Sequence, residues 1–276
     1  MNPHAAHPVS FTSLVSSLLK NRQLILQMAW REVLGRYKGS MIGVFWSFIN
    51  PLLMLAVYTF IFSVVFKAKW GIDADENKAS FAVVLFVGLI VHGLLAEVLN
   101  RAPSLIVSNV NYVKKVVYPL EILVVINLVA ALFHSAVSIL VLLIVFIGLN
   151  GYIHWTSIFL PIVLLPLATL VLGVGWILAS LGVFLRDIGQ TIGILTTAML
   201  FMAPVFFPLS AVPVHYHAYI LANPLTFIIE QSREIVVYGH QPDWLGLGVY
   251  MVVALIVAWS GYGWFQKTRK GFADVL

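Results

Sequence analysis

The chain contains no cysteine, and only 10% of its 276 residues are charged. Without cysteine it has no disulfide bond, thiol nucleophile or thiolate metal site. A typical soluble domain carries about 25% charged residues, so the scarcity of charge excludes an ordinary soluble fold. The G-x-x-x-x-G-K-[ST] loop that binds nucleotide phosphates is also missing. If the protein uses ATP, another subunit must therefore hydrolyse it.

Long apolar runs make up most of the sequence, and 61% of the residues are hydrophobic. About 20 helical residues cross the hydrocarbon core of a bilayer, which is roughly 30 Å thick. Runs of this length exceed the strands of a membrane barrel, and a helix bonds its own backbone amides in lipid. We therefore predict an all-α integral membrane protein. Its transmembrane domain, residues 39–265, would have six spans at about residues 41–66, 81–99, 122–149, 158–185, 188–207 and 245–265.

Lysine and arginine predict the orientation, because short basic loops are retained on the cytoplasmic side. With six spans, both termini lie on one side of the membrane. Of the 16 lysines and arginines, that side holds all but Lys67, Lys69, Lys78 and Arg233. We therefore predict that both termini are cytoplasmic. The net charge of +5 then reflects topology and attraction to anionic lipid headgroups, not nucleic-acid binding.

Residues 208–244, between the predicted fifth and sixth spans, do not follow the pattern of a simple helix. Prolines at 208, 213 and 224 interrupt an apolar stretch, and the charged sequence EQSRE follows. Helix-breaking residues at membrane depth are tolerated where the backbone is buried in protein or lines a cavity. We predict a re-entrant or interfacial hairpin on the outer face. The alternative is a seventh span, which would place the basic tail, residues 266–276, outside.

Residues 1–38, before the first span, carry two apolar stripes at helical spacing. With Ser10 as N-cap, the first stripe comprises Phe11, Leu14, Val15, Leu18 and Leu19. The second comprises Leu26, Trp30, Val33, Leu34 and Tyr37. Basic amphipathic helices lie in the membrane interface. We predict an interface helix here, which is either a membrane anchor alone or also a contact for a soluble partner through Arg31 and Glu32.

Small residues recur at every fourth position in two of the predicted spans. The two sets are Gly39, Gly43 and Ser47, and Gly189, Gly193 and Thr197. Such spacing lets helix backbones approach closely in a membrane. The first interpretation is packing within the chain, and the alternative is a homodimer interface.

A stripe of apolar and aromatic residues lies opposite the small residues of the first span. It comprises Phe45, Phe48, Leu52, Leu55, Thr59, Phe62 and Phe66, flanked by Trp46 and Tyr58. The simpler interpretation is that the stripe faces lipid or packs in the core. The alternative is that it lines a path, because aromatic faces stack against sugar rings without requiring a fixed charge.

Ionisable residues are nearly absent from the predicted spans. Glu97 and Arg101 are four residues apart, a favourable pair on one helix. We interpret His92 and His134 as hydrogen-bonded core histidines rather than proton carriers. The loop that follows, residues 100–121, is predicted to hold a short helix over 103–117 that ends before a proline at 119. It is either an ordinary basic loop or a site where a partner subunit pushes.

Several sequence blocks, taken in order, resemble one known family. They are WREVLGRYKGSMIGVFWSFINPLLMLAVYTFIFSVVF, NYVKKVVYPLEIL, LGVFLRDIGQ, MAPVFFPLSAVP, NPLTFIIEQSRE and KGFADVL. They are similar to the permease subunits of type-2 ABC exporters for lipid-linked polysaccharides, which include Wzm-type O-antigen and teichoic acid exporters. The resemblance covers essentially the whole chain.

The resemblance implies a homodimer in the bacterial inner membrane, with a channel between the protomers. It also implies two copies of a soluble ABC ATPase subunit, which would bind ATP and magnesium. This chain would be no enzyme and would need no cofactor. Its substrate would be a glycan linked to undecaprenyl diphosphate, with O-antigen as the first choice.

The resemblance also assigns roles to residues. It implies that the channel is lined by Phe45, Trp46, Phe48, Tyr58, Phe62, Phe201, Phe206 and Phe207. It implies that the ATPase acts through Arg31, Glu32, Asn111, Lys114, Lys115, Tyr118 and Glu121. Residues 208–244 would gate the outer mouth through Glu230, Arg233 and Glu234.

Three alternatives remain at the level of sequence. A teichoic acid or capsule permease would share the same architecture, and so would a type-2 exporter of a small hydrophobic drug or lipid. A membrane glycosyl- or phosphotransferase is disfavoured, because such enzymes need clustered carboxylates. The one dense acidic group, Asp73, Asp75 and Glu76, lies among lysines in a loop predicted to face outside.

Overall fold

A computed structural model describes residues 10–65, 78–114 and 118–276. Phe66, the acidic group at residues 73–76 and Lys115 lie outside the described residues. The described ranges contain helices, turns and no β-strand. Their α-helices are α1 (Phe11–Lys20), α2 (Arg22–Arg36), α3 (Trp46–Tyr58), α4 (Lys78–Arg101), α5 (Val110–Lys114), α6 (Ile122–Asn150), α7 (Leu160–Phe184), α8 (Ile188–Phe201), α9 (His217–Leu221), α10 (Pro224–Arg233), α11 (Trp244–Thr268) and α12 (Phe272–Val275).

Five helical segments of the described chain are long and apolar enough to cross a membrane. They are Gly43–Phe62, Phe81–Ser104, Ile122–Asn150, Trp155–Phe184 and Trp244–Val275. This agrees with the predicted all-α membrane class. The predicted fifth span, 188–207, contains only the 14 residues of α8, followed by turns. At about 1.5 Å per residue, α8 is roughly 21 Å long. The count of six spans therefore stays a prediction.

The core of the fold is built around α4 and α7. α4 packs between α6, α7 and α8, and most of its surface is buried. α7 and α11 approach so closely that a Cβ atom on Gly173 would lie 2.6 Å from the backbone of Ala258. Glycine is therefore required at this crossing, as expected for membrane helices that associate through small residues.

The N-terminal helices begin at the predicted cap, and their position in the membrane interface stays a prediction. The Ser10 side chain caps α1 by accepting a hydrogen bond from the Ser13 amide at 3.2 Å. On α2, the face that packs consists of Ile25, Ala29 and Val33. The other members of the predicted second stripe are not buried, and three of them are exposed, namely Leu26, Trp30 and Leu34. Most of that stripe therefore faces away from the rest of the chain, which leaves it free to contact lipid.

The start of the first span differs from the prediction. Gly39 and Gly43 have φ angles of +87° and +59°, in the left-handed region that favours glycine. The chain turns here, and regular α-helix begins only at Trp46. Gly39, Gly43 and Ser47 therefore share no helix face, and the small-residue prediction for this span is wrong.

The corresponding prediction for α8 has a different outcome. Among the described residues, no atom of a neighbouring element lies within 4 Å of a Cβ atom built on Gly189 or Gly193. Thr197, one turn further, is exposed. The interpretation that this face packs within the chain is wrong, and the homodimer interface remains as the alternative.

The loop between α4 and α6 is not the single short helix predicted over 103–117. Short 3₁₀ turns at Ala102–Ser104 and Val107–Asn109 precede the five-residue α5. Pro103 is buried against Gly182 of α7, where a Cβ atom would overlap the Pro103 carbonyl. This contact holds the start of the loop against α7.

Candidate functional site

Glu121 is the centre of a buried polar network that joins α1 to the segment after α11. Its Oε1 atom accepts a hydrogen bond from the Ser17 hydroxyl of α1 at 2.8 Å. Its Oε2 atom pairs with Nη1 of Arg269 at 2.9 Å. Its backbone carbonyl accepts a hydrogen bond from Nε1 of Trp176 in α7 at 2.9 Å. We name Ser17, Tyr118, Glu121, Trp176 and Arg269 the Glu121 network.

Tyr118 connects this network to the loop and to α2. Its carbonyl accepts a hydrogen bond from Nη2 of Arg269 at 2.8 Å, and its hydroxyl donates to Sδ of Met28 at 2.8 Å. Its ring stacks on Tyr112 with centroids 4.5 Å apart. Burial raises the pKa of the Tyr118 phenol, and Tyr112 and Glu121 add to this effect. The hydroxyl therefore stays protonated and able to donate.

The Glu121 network holds two of the predicted coupling residues, whose role in coupling stays a prediction. Glu121 and Tyr118 are both buried and bonded to other parts of the chain. Neither presents its side chain to a soluble partner. Their role in this structure is to hold α1, α2, α7 and the end of α11 on the loop that carries α5.

The other predicted coupling residues are placed differently. Arg31 and Asn111 are exposed, and they lie on α2 and α5. Lys114 ends α5. A cavity of about 230 Å³ separates α2 from the loop, and Arg31, Glu32 and Tyr112 are among its lining residues. Arg31 and Asn111 are therefore accessible, as a docking surface requires.

Ion pairs join α2 to α4, and they correct the predicted Glu97–Arg101 pair. Glu97 Oε1 lies 2.8 Å from Nη2 of Arg36 and 2.7 Å from Nδ1 of His134 on α6. Arg101 pairs instead with Glu32. The sequence alone could not predict these pairs. Glu97 and Arg101 are spaced to pair within α4, and only the position of α2 in the fold supplies Arg36 and Glu32 as their partners.

The two intramembrane histidines are both hydrogen-bonded. Nε2 of His92 lies 2.9 Å from the carbonyl oxygen of Thr196, as expected for a core histidine. His134 is bonded through Nδ1 to Glu97, while its buried Nε2 has no partner among the described residues. The interpretation of His134 as a hydrogen-bonded core histidine therefore holds for Nδ1 but not for Nε2.

The predicted channel residues fall into two groups. At one end of the first span, Phe62 stacks on Phe206 with centroids 5.6 Å apart, and Phe206 stacks on Phe201 at 5.6 Å. Tyr58 joins this cluster through Phe62 at 6.3 Å. We name Tyr58, Phe62, Phe201 and Phe206 the aromatic cluster. It connects the first span to the end of α8.

The second group lies at the opposite end of α3. Phe45 and Phe48 have ring centroids 5.9 Å apart, and Phe45 is 63% exposed. Nε1 of Trp46 donates to the Ser40 hydroxyl at 2.8 Å. Leu55, in the middle of the predicted stripe, belongs to the core, so the stripe is not uniformly exposed.

Phe207, the remaining predicted channel residue, directly follows Phe206 in the sequence and is partly buried.

A groove of about 420 Å³ lies between α3, α4 and α6. Its walls are mainly apolar, and the polar groups Asn50, Glu97, His134 and Ser135 are among its lining residues. Asn50 and Ser135 are not among the site residues predicted from the sequence. The available signal was their position as polar residues inside otherwise apolar runs.

Arg233 anchors the region predicted to form the outer gate. Its side chain is fully buried, and Nε donates to the Val84 carbonyl of α4 at 3.1 Å. Nη2 donates to the Val205 carbonyl at 3.3 Å, and Nη1 pairs with Glu230 at 3.0 Å. Burial lowers the pKa of Arg233 to about 10, so the guanidinium stays charged at neutral pH. Arg233 is thus an internal anchor of the region predicted to gate the outer mouth, and the gating role stays a prediction.

The neighbouring charged residues are less buried. Burial raises the pKa of the Glu230 carboxyl, and the charge of Arg233 opposes this effect. Glu234 Oε2 lies 2.6 Å from Nδ1 of His240, across the turn that follows α10. Asn223 caps α10 and also donates from Nδ2 to the Met199 carbonyl of α8 at 2.9 Å. These contacts fix α10 against α4 and α8.

Comparison with known proteins gives concordant matches. The O-antigen export system permease protein RfbA of Myxococcus xanthus is 28% identical over 266 residues, covering 95% of this chain and 99% of the relative. The polysialic acid transport protein KpsM of Escherichia coli is 28% identical over 87% of this chain and 91% of the relative. The capsule polysaccharide export inner-membrane protein CtrC of Neisseria meningitidis serogroup B is 25% identical over 94% and 96%.

The match to a family model is equally extensive. Residues 23–237 match the model described as ABC-2 type transporter. The matched range begins in α2 and ends four residues after α10. It includes the aromatic cluster, Arg233, and the Tyr118, Glu121 and Trp176 members of the Glu121 network. Since this range is well over half of its length, the chain belongs to the ABC-2 type transporter family.

Proposed function

We propose that this chain is the membrane subunit of an ATP-driven exporter that carries polysaccharide across the bacterial inner membrane. The observation that carries the proposal is the alignment, over nearly their whole lengths, with relatives named for O-antigen, polysialic acid and capsule export. The chain has no phosphate-binding loop. ATP and magnesium would therefore be bound by a partner ATPase subunit, and this chain would need no cofactor of its own.

The proposed topology has six spans, with the short α8 as the fifth. α8 is apolar, and its end is bonded to α10 through Asn223 and Met199. α9 and α10 would then form the re-entrant hairpin on the outer face, held by Arg233. With this count both termini are cytoplasmic, because all but four of the 16 lysines and arginines fall on their side.

The proposed assembly contains two copies of this chain and two ATPase subunits. The open face of α8 at Gly189, Gly193 and Thr197 supports a protomer contact, because small residues let membrane helices approach closely. Arg31 and Asn111 support ATPase docking, because both are exposed near the loop that carries α5. Lys114 and Lys115 would add positive charge to this surface.

The proposed substrate is O-antigen linked to undecaprenyl diphosphate. The aromatic cluster and the Phe45–Phe48 pair would stack against sugar rings, because a ring face offers apolar area without fixed charge. A capsular polysaccharide is the second candidate. It is favoured by the polysialic acid transport relative, which is as similar to this chain, at 28% identity, as the O-antigen relative.

Deletion of the gene in the parent organism tests the proposal. Surface polysaccharide should be lost and lipid-linked polymer should build up inside the cell, and a plasmid copy should restore export. The class of polymer that builds up distinguishes O-antigen from capsule. Unchanged surface polysaccharide in a strain with no second copy of the permease would refute the function.

A further inference from the structure

Two helices of this chain carry the same charge pattern. α2 has Glu32 and Arg36, and α4 has Glu97 and Arg101, in each case a glutamate followed four residues later by an arginine. Within a single helix this order favours an i,i+4 ion pair. In the structure all four residues pair across the helices instead, Arg36 with Glu97 at 2.8 Å and Glu32 with Arg101. We name these two contacts the crossed pairs.

The crossed pairs are accessible enough to exchange. The four side chains are between 19% and 43% exposed, so none of them is enclosed by the protein. Ion pairs of this kind contribute little net stability, because hydration replaces much of what is lost when they separate. The packing face of α2, at Ile25, Ala29 and Val33, belongs mainly to its contact with α6. The attachment of α2 to α4 therefore depends mainly on the two crossed pairs.

We propose that the crossed pairs are one state of a charge exchange that allows α2 to separate from α4 during transport. In the separated state Glu32 pairs with Arg36 and Glu97 pairs with Arg101, each within its own helix. Each of the four charges has a partner of opposite sign in both states, so the exchange itself leaves none of them unpaired. The four residues are then positioning residues for the interface helix, and the proposal rests on the function proposed above.

The surroundings of the crossed pairs fit such a movement. The cavity of about 230 Å³ lined by Glu32 and Arg101 already separates part of α2 from the loop. Arg31, on the same helix, is exposed at this cavity. A partner that displaces α5 or contacts Arg31 would therefore act next to the charges that exchange. Nδ1 of His134 lies 2.7 Å from Glu97 Oε1 and 3.1 Å from Nη1 of Arg36, so His134 contacts both members of this crossed pair.

Two double variants shift the exchange in opposite directions. Glu32→Arg with Arg101→Glu keeps both crossed pairs attractive but places two like charges at i,i+4 on each helix. Glu32→Arg with Arg36→Glu keeps an attractive pair within α2 but makes both crossed contacts repulsive. The first should hold α2 on α4, and the second should release it. Lys38→Glu, a charge reversal on an exposed residue next to α2, is the matched control.

The absence of native cysteine makes the distance between the helices measurable. Leu34→Cys and Ser104→Cys, both at exposed positions, introduce a single pair of spin labels per chain. In the purified chain, the first double variant should keep the parent distance distribution and the second should shift it to longer distances. Identical distributions in the parent and both double variants would overturn the charge exchange, whatever the protein transports.

Transport by the chain together with its ATPase subunit supplies the second readout. Both double variants should retain the ATPase subunit and reduce polysaccharide transport at least tenfold, while Lys38→Glu stays within twofold of the parent. Parental transport by the first double variant would show a static contact and reject the exchange. If the parent itself bound no ATPase and moved no polysaccharide, the proposed function would fail, and the distance measurement would still decide the exchange.

Discussion

Removal of the Glu121 carboxylate should destabilise the protein more than removal of an exposed carboxylate. In the Glu121→Ala variant, Arg269 keeps only the Tyr118 carbonyl as a partner, and the Ser17 hydroxyl loses its acceptor. Breaking a buried ion pair from one side costs about 3–5 kcal/mol. Because the Arg269 side chain remains 14% exposed, we expect the lower end of that range, about 3 kcal/mol.

Thermal unfolding of the detergent-purified protein measures this effect. For a chain of this size, 1 kcal/mol corresponds to about 2–4 °C in Tm, so Glu121→Ala should lower Tm by about 6–12 °C. The double variant Glu121→Met with Arg269→Met should lose less, because it leaves no buried charge unpaired. Asp187→Ala, at an exposed acid whose side chain makes no cap bond, is the control. Equal shifts for Glu121→Ala and Asp187→Ala would refute the role of the network.

Three further substitutions test other contacts. Arg233→Met should leave the Val205 carbonyl unpaired, at about 1–3 kcal/mol, and should expose residues 239–243 to protease; parental resistance would contradict this. Gly182→Ala should cost about 1–3 kcal/mol, because the added Cβ overlaps Pro103, and should reduce folded yield, whereas Gly248→Ala, which meets no neighbouring atom, should not. Trp176→Phe removes one buried hydrogen bond and should lower Tm by about 2–4 °C; an unchanged Tm would argue against that bond.

The all-helical class could be predicted because long apolar runs indicate helices that cross a lipid bilayer. The run that forms α6 ends where Gly151 adopts a φ of +76°, a usual way to end a helix. The early end of α8 at Phe201 also had a signal in the sequence, since Pro204 disfavours helix at the preceding residues. Local chemistry of this kind is legible without a structure.

The ion pairs between helices could not be predicted in this way. Glu97 has a satisfactory partner in Arg101 on its own helix, and only the position of α2 brings Arg36 closer. Glu121 follows a proline in a basic loop, which suggests exposure, yet Arg269 from the far end of the chain buries it. In both cases the deciding group lies more than 50 residues away, so no local pattern could predict it.

Proteoliposomes containing the purified chain, with or without its ATPase subunit, would measure ATP-driven entry of lipid-linked polysaccharide directly. Polymer that has entered the lumen is protected from added glycosidase. We expect protection to require this chain, the ATPase subunit and ATP together, and the polymer to stimulate ATP hydrolysis. Protection by this chain alone, or active ATP hydrolysis without any protected polymer, would contradict a permease driven by a separate ATPase.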